Sequence, residues 1–261
     1  MKQEPLFVAF STQKGGMGKT AVTVLTASYL HYVKGYNIAV VDCDYPQHSI
    51  VEERKRDTEL VFGNDYFKRM AYGQFRSLGK PAYPVKESKA PDAVRDAGVL
   101  IEKSEKPYDI VFFDLPGTLN TAGVVKTLAA MDYIFTPVSA DRLVLESTLQ
   151  YATMLNDHII SQNKGNLKNL FLFWNMVDGR EKTPLYEAYE VAIAELGFTV
   201  MKTSLPDSIR FRKEMSAERN TIFRSTLFPP DKVLLKDSNI DALSNEICQI
   251  LKLNENGNEQ E

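Results

Sequence analysis

The sequence of 261 residues contains little cysteine and histidine, with two of the former and three of the latter. Cys43 and Cys248 are far apart, and neither has a second cysteine or a histidine at metal-ligand spacing. This disfavours a disulfide framework, a zinc site and an iron–sulfur cluster. No apolar run approaches the roughly 18 residues that a transmembrane helix needs. The N-terminal residues lead straight into a strand-like run and leave no room for a signal peptide, so we expect a cytoplasmic protein.

Neither sign of charge dominates, because the formal net charge is −3 and 25% of the residues are charged. With 44% hydrophobic residues, this is the composition of an ordinary folded protein, and any surface for nucleic acid would have to be local. The length suits one α/β core, which predicts a single domain over residues 1–261. The polar, acidic segment 254–261 is expected to be a frayed tail.

Short apolar runs alternate with helix-like segments along the chain. The strand-like runs cover residues 6–10, 37–42, 108–114, 133–138, 170–174 and 198–201, and the helix-like segments cover 21–33, 143–160, 184–196 and 240–251. This alternation predicts an α/β fold with a mostly parallel sheet between helices on both faces. Residues 51–106 are rich in mixed charges and turn formers, and we expect helices and loops inserted there between two core strands.

A glycine-rich loop with two lysines, Gln13-Lys14-Gly15-Gly16-Met17-Gly18-Lys19-Thr20, follows the first strand-like run and precedes the first helix. Glycine lets backbone N–H groups turn around an anion and lead it to a helix N-terminus. Lys19 would reach the β- and γ-phosphates, and the Thr20 hydroxyl would bind Mg²⁺. We therefore predict a P-loop NTPase that binds ATP and Mg²⁺. The residues predicted to hold the nucleotide here are Gly15, Gly16, Met17, Gly18, Lys19, Thr20 and Ala21.

Aspartates end the second and third strand-like runs. Asp114 follows four apolar residues and fits the Walker B role, in which a carboxylate holds the Mg²⁺ shell. Asp42 and Asp44 flank Cys43, so extended backbone would point both carboxylates to one side, where they can share a hydrated metal and a water. A non-catalytic aspartate pair in a loop is the alternative. Because ligands bind at the carboxyl ends of parallel strands, these groups are expected to converge with the glycine-rich loop.

The segment Lys14–Thr20 resembles the deviant phosphate loop of the ParA/MinD family of ATPases, and the preceding Gln13 resembles the ParA branch in particular. The resemblance implies that Lys14 is the signature lysine, which crosses the interface of an ATP-sandwich homodimer to the partner's nucleotide. It also implies a metal-shell role for Asp42 and a water-positioning role for Asp44. ParA proteins usually continue with Pro-Gln directly after the second aspartate, whereas here Tyr45 intervenes.

Two later segments also resemble this family. The strand-like run that ends at Asn175 resembles the family's strand whose terminal asparagine recognises adenine, and Pro206 corresponds to a proline in a loop near the base. Shortly after that proline, the resemblance implies a basic residue that contributes to nonspecific DNA binding, and Arg210 matches it best. The surrounding cluster could bind DNA phosphates or form a solvated helix face. Its predicted DNA-binding residues are Arg210, Arg212, Lys213 and Arg219.

The resemblance therefore implies a partition-type ATPase whose ATP-bound dimer binds DNA nonspecifically, associates with the nucleoid and is released when a ParB-like partner stimulates hydrolysis. A MinD-like ATPase at a membrane is one alternative, although the acidic C-terminal residues would be repelled by anionic lipid. A small-molecule ligase or kinase on the same scaffold is another, with residues 51–106 as its substrate pocket. Turnover that requires a small acceptor would favour that alternative.

Overall fold

The computed structural model describes residues 4–180, 183–216, 218 and 220–253. Within them, seven strands form one parallel sheet: β1 (Leu6–Phe10), β2 (Ile38–Asp42), β3 (Val85–Glu87), β4 (Ile110–Asp114), β5 (Tyr133–Val138), β6 (Asn169–Trp174) and β7 (Thr199–Val200). Their order across the sheet is β3-β2-β4-β1-β5-β6-β7. The first strand lies near the centre, so the loop that follows it emerges at the middle of the carboxyl edge.

Helices connect these strands. The α-helices are α1 (Lys19–Tyr32), α2 (Ser49–Gly63), α3 (Asp65–Leu78), α4 (Ala93–Glu102), α5 (Val124–Ala129), α6 (Arg142–Leu155), α7 (Thr183–Glu195), α8 (Lys232–Leu235) and α9 (Ile240–Leu251). Short 3₁₀ turns cover Ala90–Asp92 and Ile209–Arg212, and a π-helical turn, Asn156–Ile160, extends α6. Within the described residues, no helix combines the length and the apolar character that a membrane span requires.

Two apolar layers, one on each face, bury the sheet. One contains Val8 and Phe10 of β1 with α1 and α9, and the other contains Ala9 of β1 with α4, α5 and α6. Alternate residues of β1 thus enter opposite layers, as the two-residue period of a strand requires. A third, smaller cluster joins α3 to residues 215–228. The predicted α/β fold, with a parallel sheet between helices on both faces, is confirmed.

The region 51–106 differs from its prediction. Besides helices and loops it contains β3, a three-residue edge strand that pairs with β2 through the register Val40–Val85 to Asp42–Glu87. Two of its three residues are charged and exposed, which is the usual composition of a protected sheet edge and gives no apolar signal in the sequence. The expected tail, 254–261, lies outside the described residues.

Candidate functional site

The loop between β1 and α1 has the backbone that its glycines predict. Gly16 and Gly18 have φ values of 76° and 73°, in the left-handed region that glycine adopts without steric cost. Helix α1 begins directly after Gly18, so its unpaired N–H groups face the interior of the loop. Strand, glycine-rich turn and helix therefore follow in the order that an anion site requires.

The two lysines of the loop have different surroundings. Lys14 is exposed, whereas Lys19 is half-buried and its Nζ lies 3.4 Å from the carbonyl oxygen of Lys14. Burial lowers the pKa of Lys19, and the nearby carboxylates Asp114 and Asp44 act in the opposite direction. Of the two lysines, Lys19 thus lies within the loop, while Lys14 is open to solvent.

The loop forms one wall of a cavity of about 800 Å³. The opposite walls come from α2, from the turn after β6 and from residues 206–214. Among the residues predicted from the sequence, the cavity is lined by Gly15, Gly16, Met17, Gly18, Lys19, Thr20, Ala21, Asp44, Asn175, Pro206 and Arg212. Its size is within the range of small-molecule and cofactor sites.

Asp114 lies behind this wall and is completely buried. Its Oδ2 accepts a 2.8 Å hydrogen bond from the Thr20 hydroxyl, while its Oδ1 is buried without a hydrogen-bond partner among the residues that the structure describes. Burial raises the pKa of Asp114 to about 7, and the neighbouring carboxylate of Asp42 contributes in the same direction. A buried carboxylate oxygen without a partner, next to a threonine hydroxyl, fits a hard divalent cation.

The protein supplies only part of such a coordination shell. No group of three or more histidine, cysteine, aspartate or glutamate side chains that could hold a metal occurs in the described part of the chain. Mg²⁺ typically keeps several waters and binds through one or two carboxylates together with substrate phosphates. The site therefore fits Mg²⁺ that arrives with a nucleotide better than a metal held by protein alone.

Asp42 and Asp44 take different positions. Strand β2 ends at Asp42, so the extended geometry expected to carry both carboxylates to one side stops before Asp44. The Asp42 carboxylate is buried and accepts hydrogen bonds from the N–H groups of Ile50 and Val51, at 2.9 and 3.0 Å, and of Asp44 at 3.3 Å. Asp42 thus caps the N-terminus of α2, whereas the half-buried Asp44 lines the cavity. The metal-shell role of Asp42 stays a prediction.

Asn175 connects two walls of the cavity. Its side-chain amide donates a 2.9 Å hydrogen bond to the carbonyl oxygen of Met17, and its backbone N–H donates to Val138. A Cβ atom at Gly18 would lie 3.3 Å from the same amide nitrogen, so glycine permits this close approach. Pro206 lies alongside, where it follows Leu205 and forms a bridge with Val177. Recognition of adenine by Asn175 stays a prediction, and the structure adds that this side chain braces the loop.

The structure divides the predicted basic cluster. One guanidinium nitrogen of Arg210 donates to the carbonyl oxygens of Leu234 and Lys236, at 2.9 and 2.6 Å, so this residue fastens the 3₁₀ turn to α8. Arg212 and Lys213 are exposed. Arg219 lies outside the described residues. Within the described part of this cluster, the freely accessible cations are therefore Arg212 and Lys213 rather than Arg210.

One feature of the cavity wall was missed by the sequence analysis. Glu53 of α2 is buried and receives two hydrogen bonds from Arg224, at 3.0 and 3.1 Å, and Arg224 also bonds Glu214 at 2.8 Å. Burial raises the pKa of Glu53 to about 7, although the adjacent Arg224 opposes that shift. Asp57, one turn later, is buried and accepts from Thr226. Glu53 and Asp57 share one face of α2 with the apolar residues Ile50 and Val61. This spacing in the sequence was the signal that both acids are buried.

A comparison with protein-family models shows the family to which this chain belongs. The model of the CobQ/CobB/MinD/ParA nucleotide-binding domain matches residues 8–222, which is most of the chain. The chain belongs to this CobQ/CobB/MinD/ParA family. The matched region begins in β1 and includes the glycine-rich loop, Asp42, Asp44, Asp114, Asn175 and the basic cluster. The resemblance of the loop to the ParA/MinD family is thereby confirmed.

Three similar proteins agree with this assignment. The chain is 27% identical over 220 residues to the chromosome-partitioning ATPase Soj of Thermus thermophilus, an alignment that covers 80% of this chain and 84% of Soj. Among solved structures, an ATP complex of a substituted McdA of Cyanothece has a TM-score of 0.61 at 12% identity, covering 97% and 98% of the two chains. A structure described as a plasmid partition protein of Borrelia burgdorferi B31 bound to AMPPNP has a TM-score of 0.58 at 17% identity, covering 95% and 99%. These structural likenesses establish the shared fold.

Proposed function

We propose that this protein is an Mg²⁺-dependent partition-type ATPase that forms an ATP-dependent dimer, binds DNA nonspecifically and is released when a ParB-like partner stimulates hydrolysis. Family membership supports nucleotide binding. The observation that supports the rest is the pair of lysines in one loop, of which Lys19 lines the cavity and Lys14, which directly precedes the lining residue Gly15, is exposed to solvent. Under this proposal the protein works in the cytoplasm, in association with the nucleoid.

The described residues divide the chemistry of ATP hydrolysis among them. The loop N–H groups and Lys19 would hold the phosphates, and Thr20 with Asp114 would hold Mg²⁺, which supplies charge neutralisation to the transferred phosphoryl group. Asp44, whose carboxylate lines the cavity, would orient the attacking water. Asn175 and Pro206 are placed to contact the base. These assignments use residues that line one cavity or contact its lining directly.

The exposed lysine fits a subunit interface made by nucleotide. Two ATP-loaded loops that face each other would bring many negative charges together, and a cation from each side offsets that repulsion at short range. Lys19 already serves the phosphates of its own subunit, so the exposed Lys14 is the loop residue available to serve those of the partner. ATP then stabilises the dimer, and its hydrolysis weakens it.

Replacing Lys14 with alanine is expected to abolish the ATP-induced dimer while ATP binding by the monomer persists. Size-exclusion chromatography with light scattering measures the mass with ATP and with ADP, and a fluorescent ATP analogue measures binding. Lys126→Ala removes another exposed cation, from α5, and should dimerise like the wild type. A Lys14→Ala protein that dimerises normally with ATP would refute the interface role.

The DNA-binding part of the proposal is best supported for Arg212 and Lys213, whose side chains are exposed beside the nucleotide cavity. Arg210 contributes indirectly, since its guanidinium fixes the 3₁₀ turn against α8. Lysine and arginine bind phosphates irrespective of base sequence, as a nonspecific surface requires. Arg219 remains a proposed member of the same surface.

DNA retention should follow the nucleotide state. With ATP the wild type is expected to stay on immobilised duplex DNA, with ADP it should be lost, and Asp44→Ala with ATP should be retained longer than the wild type because hydrolysis is blocked. Surface plasmon resonance records the three dissociation curves. Equal retention in all three conditions would overturn the nucleotide switch, and ATP-dependent sedimentation with anionic liposomes would favour a membrane-cycling ATPase instead.

A further inference from the structure

Helix α3 presents a basic, tyrosine-bearing face that the nucleotide site does not use. Its inner face is apolar, with Phe67 and Ala71 packed in the cluster that contains Met215, Ile222 and Phe228. The outer face carries exposed residues at successive helical turns. They are Tyr66, Lys68, Arg69, Tyr72 and Arg76, which we call the α3 basic face.

The cations of this face are not neutralised by the protein. Among the described residues, Lys68, Arg69 and Arg76 have no carboxylate partner in an ion pair, and the Nε of Arg69 donates only to the backbone oxygen of Asp65. On the preceding helix α2, by contrast, the exposed Lys55 forms an ion pair with Glu52. Asp65, in the first turn, is the only acidic residue of α3. The outer face is therefore a local excess of positive charge on a chain whose net charge is −3.

The two tyrosines extend the same donor surface. Tyr66 is 46% exposed and Tyr72 is 68% exposed, and both phenol groups can donate hydrogen bonds. Tyrosine hydroxyls contact DNA phosphates in the same way as lysine and arginine. All five side chains of the α3 basic face are thus donors that suit phosphate oxygens, and the exposed Asp65, one turn before Arg69, is the single acidic side chain beside them on the helix.

The inner side of α3 packs against part of the segment that follows Lys213. Gln74 of α3 donates a 2.8 Å hydrogen bond to the carbonyl oxygen of Leu227, and the apolar cluster fixes α3 against residues 215–228. Lys213 in turn accepts a hydrogen bond at its backbone oxygen from the N–H of Arg224 in that segment. Among the described residues, 222–228 therefore connect the neighbourhood of the exposed pair Arg212 and Lys213 to the helix whose outer side carries the α3 basic face.

We propose that the α3 basic face binds the phosphate backbone of duplex DNA as a second part of the DNA surface. From Lys68 to Arg76 the helix spans about 12 Å, and duplex DNA carries about seven phosphates over that length. The three exposed cations Lys68, Arg69 and Arg76 have no carboxylate partner among the described residues, so their charge is complementary to a polyanion. The proposal rests on the proposed function, because it presupposes DNA binding in the ATP state.

The salt dependence of DNA binding tests this surface. Fluorescence anisotropy with a labelled random-sequence duplex and ATP gives log Kd against log salt for the wild type and for Lys68→Ala/Arg69→Ala/Arg76→Ala. Each lost phosphate contact lowers the slope by about 0.9, so the triple variant should lose about 2 to 3. The matched control Lys103→Ala/Lys126→Ala/Lys164→Ala removes three exposed cations from other elements and should keep the wild-type slope.

The outcomes separate this inference from the proposed function. If Arg212→Ala/Lys213→Ala lowers the slope and the α3 triple variant does not, DNA binding stands and the α3 proposal fails. If the wild type binds no DNA with ATP, both fail. Circular dichroism and the ATP-induced dimer show whether the triple variant is folded. If it is not, the single variants Arg69→Ala and Arg76→Ala replace it, and each should lower the slope by about 0.9. Unchanged slopes in both single variants overturn the proposal.

Discussion

Replacing Asp44 with alanine is expected to slow ATP hydrolysis by about 100-fold or more, the range of a lost catalytic carboxylate, while ATP affinity changes little. The Asp44 carboxylate lines the cavity and has no hydrogen-bond partner among the described residues, so it is free to orient a water. The phosphates are held by other groups, namely the loop N–H groups and Lys19. Binding and hydrolysis should therefore separate in this variant.

Single-turnover phosphate release from preloaded ATP gives the rate, and a fluorescent ATP analogue gives the affinity. Asp207→Ala is the matched control, because Asp207 is a second carboxylate that lines the same cavity, close to Pro206 rather than to the loop. It should hydrolyse ATP at the wild-type rate. If Asp44→Ala retains hydrolysis within a few-fold of the wild type, Asp44 is the non-catalytic loop aspartate that the sequence alone left open.

The centre of the fold was predictable because its signals are local. A buried parallel strand reads as a continuous apolar run, as β1, β2 and β4 do, and a glycine-rich turn before a helix has few other uses. β3 could not be found in this way. Lys86 and Glu87 are charged, so Val85 begins no apolar run, and the three residues form a strand because the neighbouring edge of β2 offers unpaired N–H and C=O groups.

The candidate site was predictable in composition and less so in the contacts of each side chain. The sequence indicated that Asp42 and Arg210 carry charge near a strand end and a basic turn. Their partners are backbone groups of α2 and α8, which come into reach only after the chain has folded. The same holds for Glu53 and Arg224, which are 171 residues apart in the chain and pair because α2 packs against residues 224–228.

The raised pKa of the Asp114 carboxyl group also depends on tertiary contacts. Asp42 and Asp114 are register partners on the neighbouring strands β2 and β4, and both carboxylates are completely buried. The N–H groups of Ile50 and Val51 stabilise the charge of Asp42, whereas Asp114 has the Thr20 hydroxyl on one oxygen and no partner on the other within the described chain. The folded state without metal therefore favours the protonated form of Asp114, and its pKa is raised to about 7.

Asp114→Asn should stabilise the nucleotide-free, metal-free protein, by an amount that grows with pH. Between the ordinary aspartate pKa and about 7 the folded state binds more protons at this site than the unfolded state, so wild-type stability falls as pH rises. From about pH 5.5 to about pH 8, this amounts to about 2 kcal/mol in favour of the variant, given 1.36 kcal/mol for each pKa unit. Urea unfolding at several pH values measures the difference.

The control for this effect is Asp207→Asn, which makes the same change in net charge at an exposed carboxylate and should show no such growth with pH.

A second measurement connects the effect to function. Mg²⁺ with ATP should raise the melting temperature of the wild type beyond ATP alone, because the cation compensates the buried charge of Asp114. The amide of the Asp114→Asn variant carries no charge to relieve, so that variant should lose the increment. A difference in unfolding free energy that stays flat with pH, together with an intact Mg²⁺ increment, would show that Asp114 does not hold the cation.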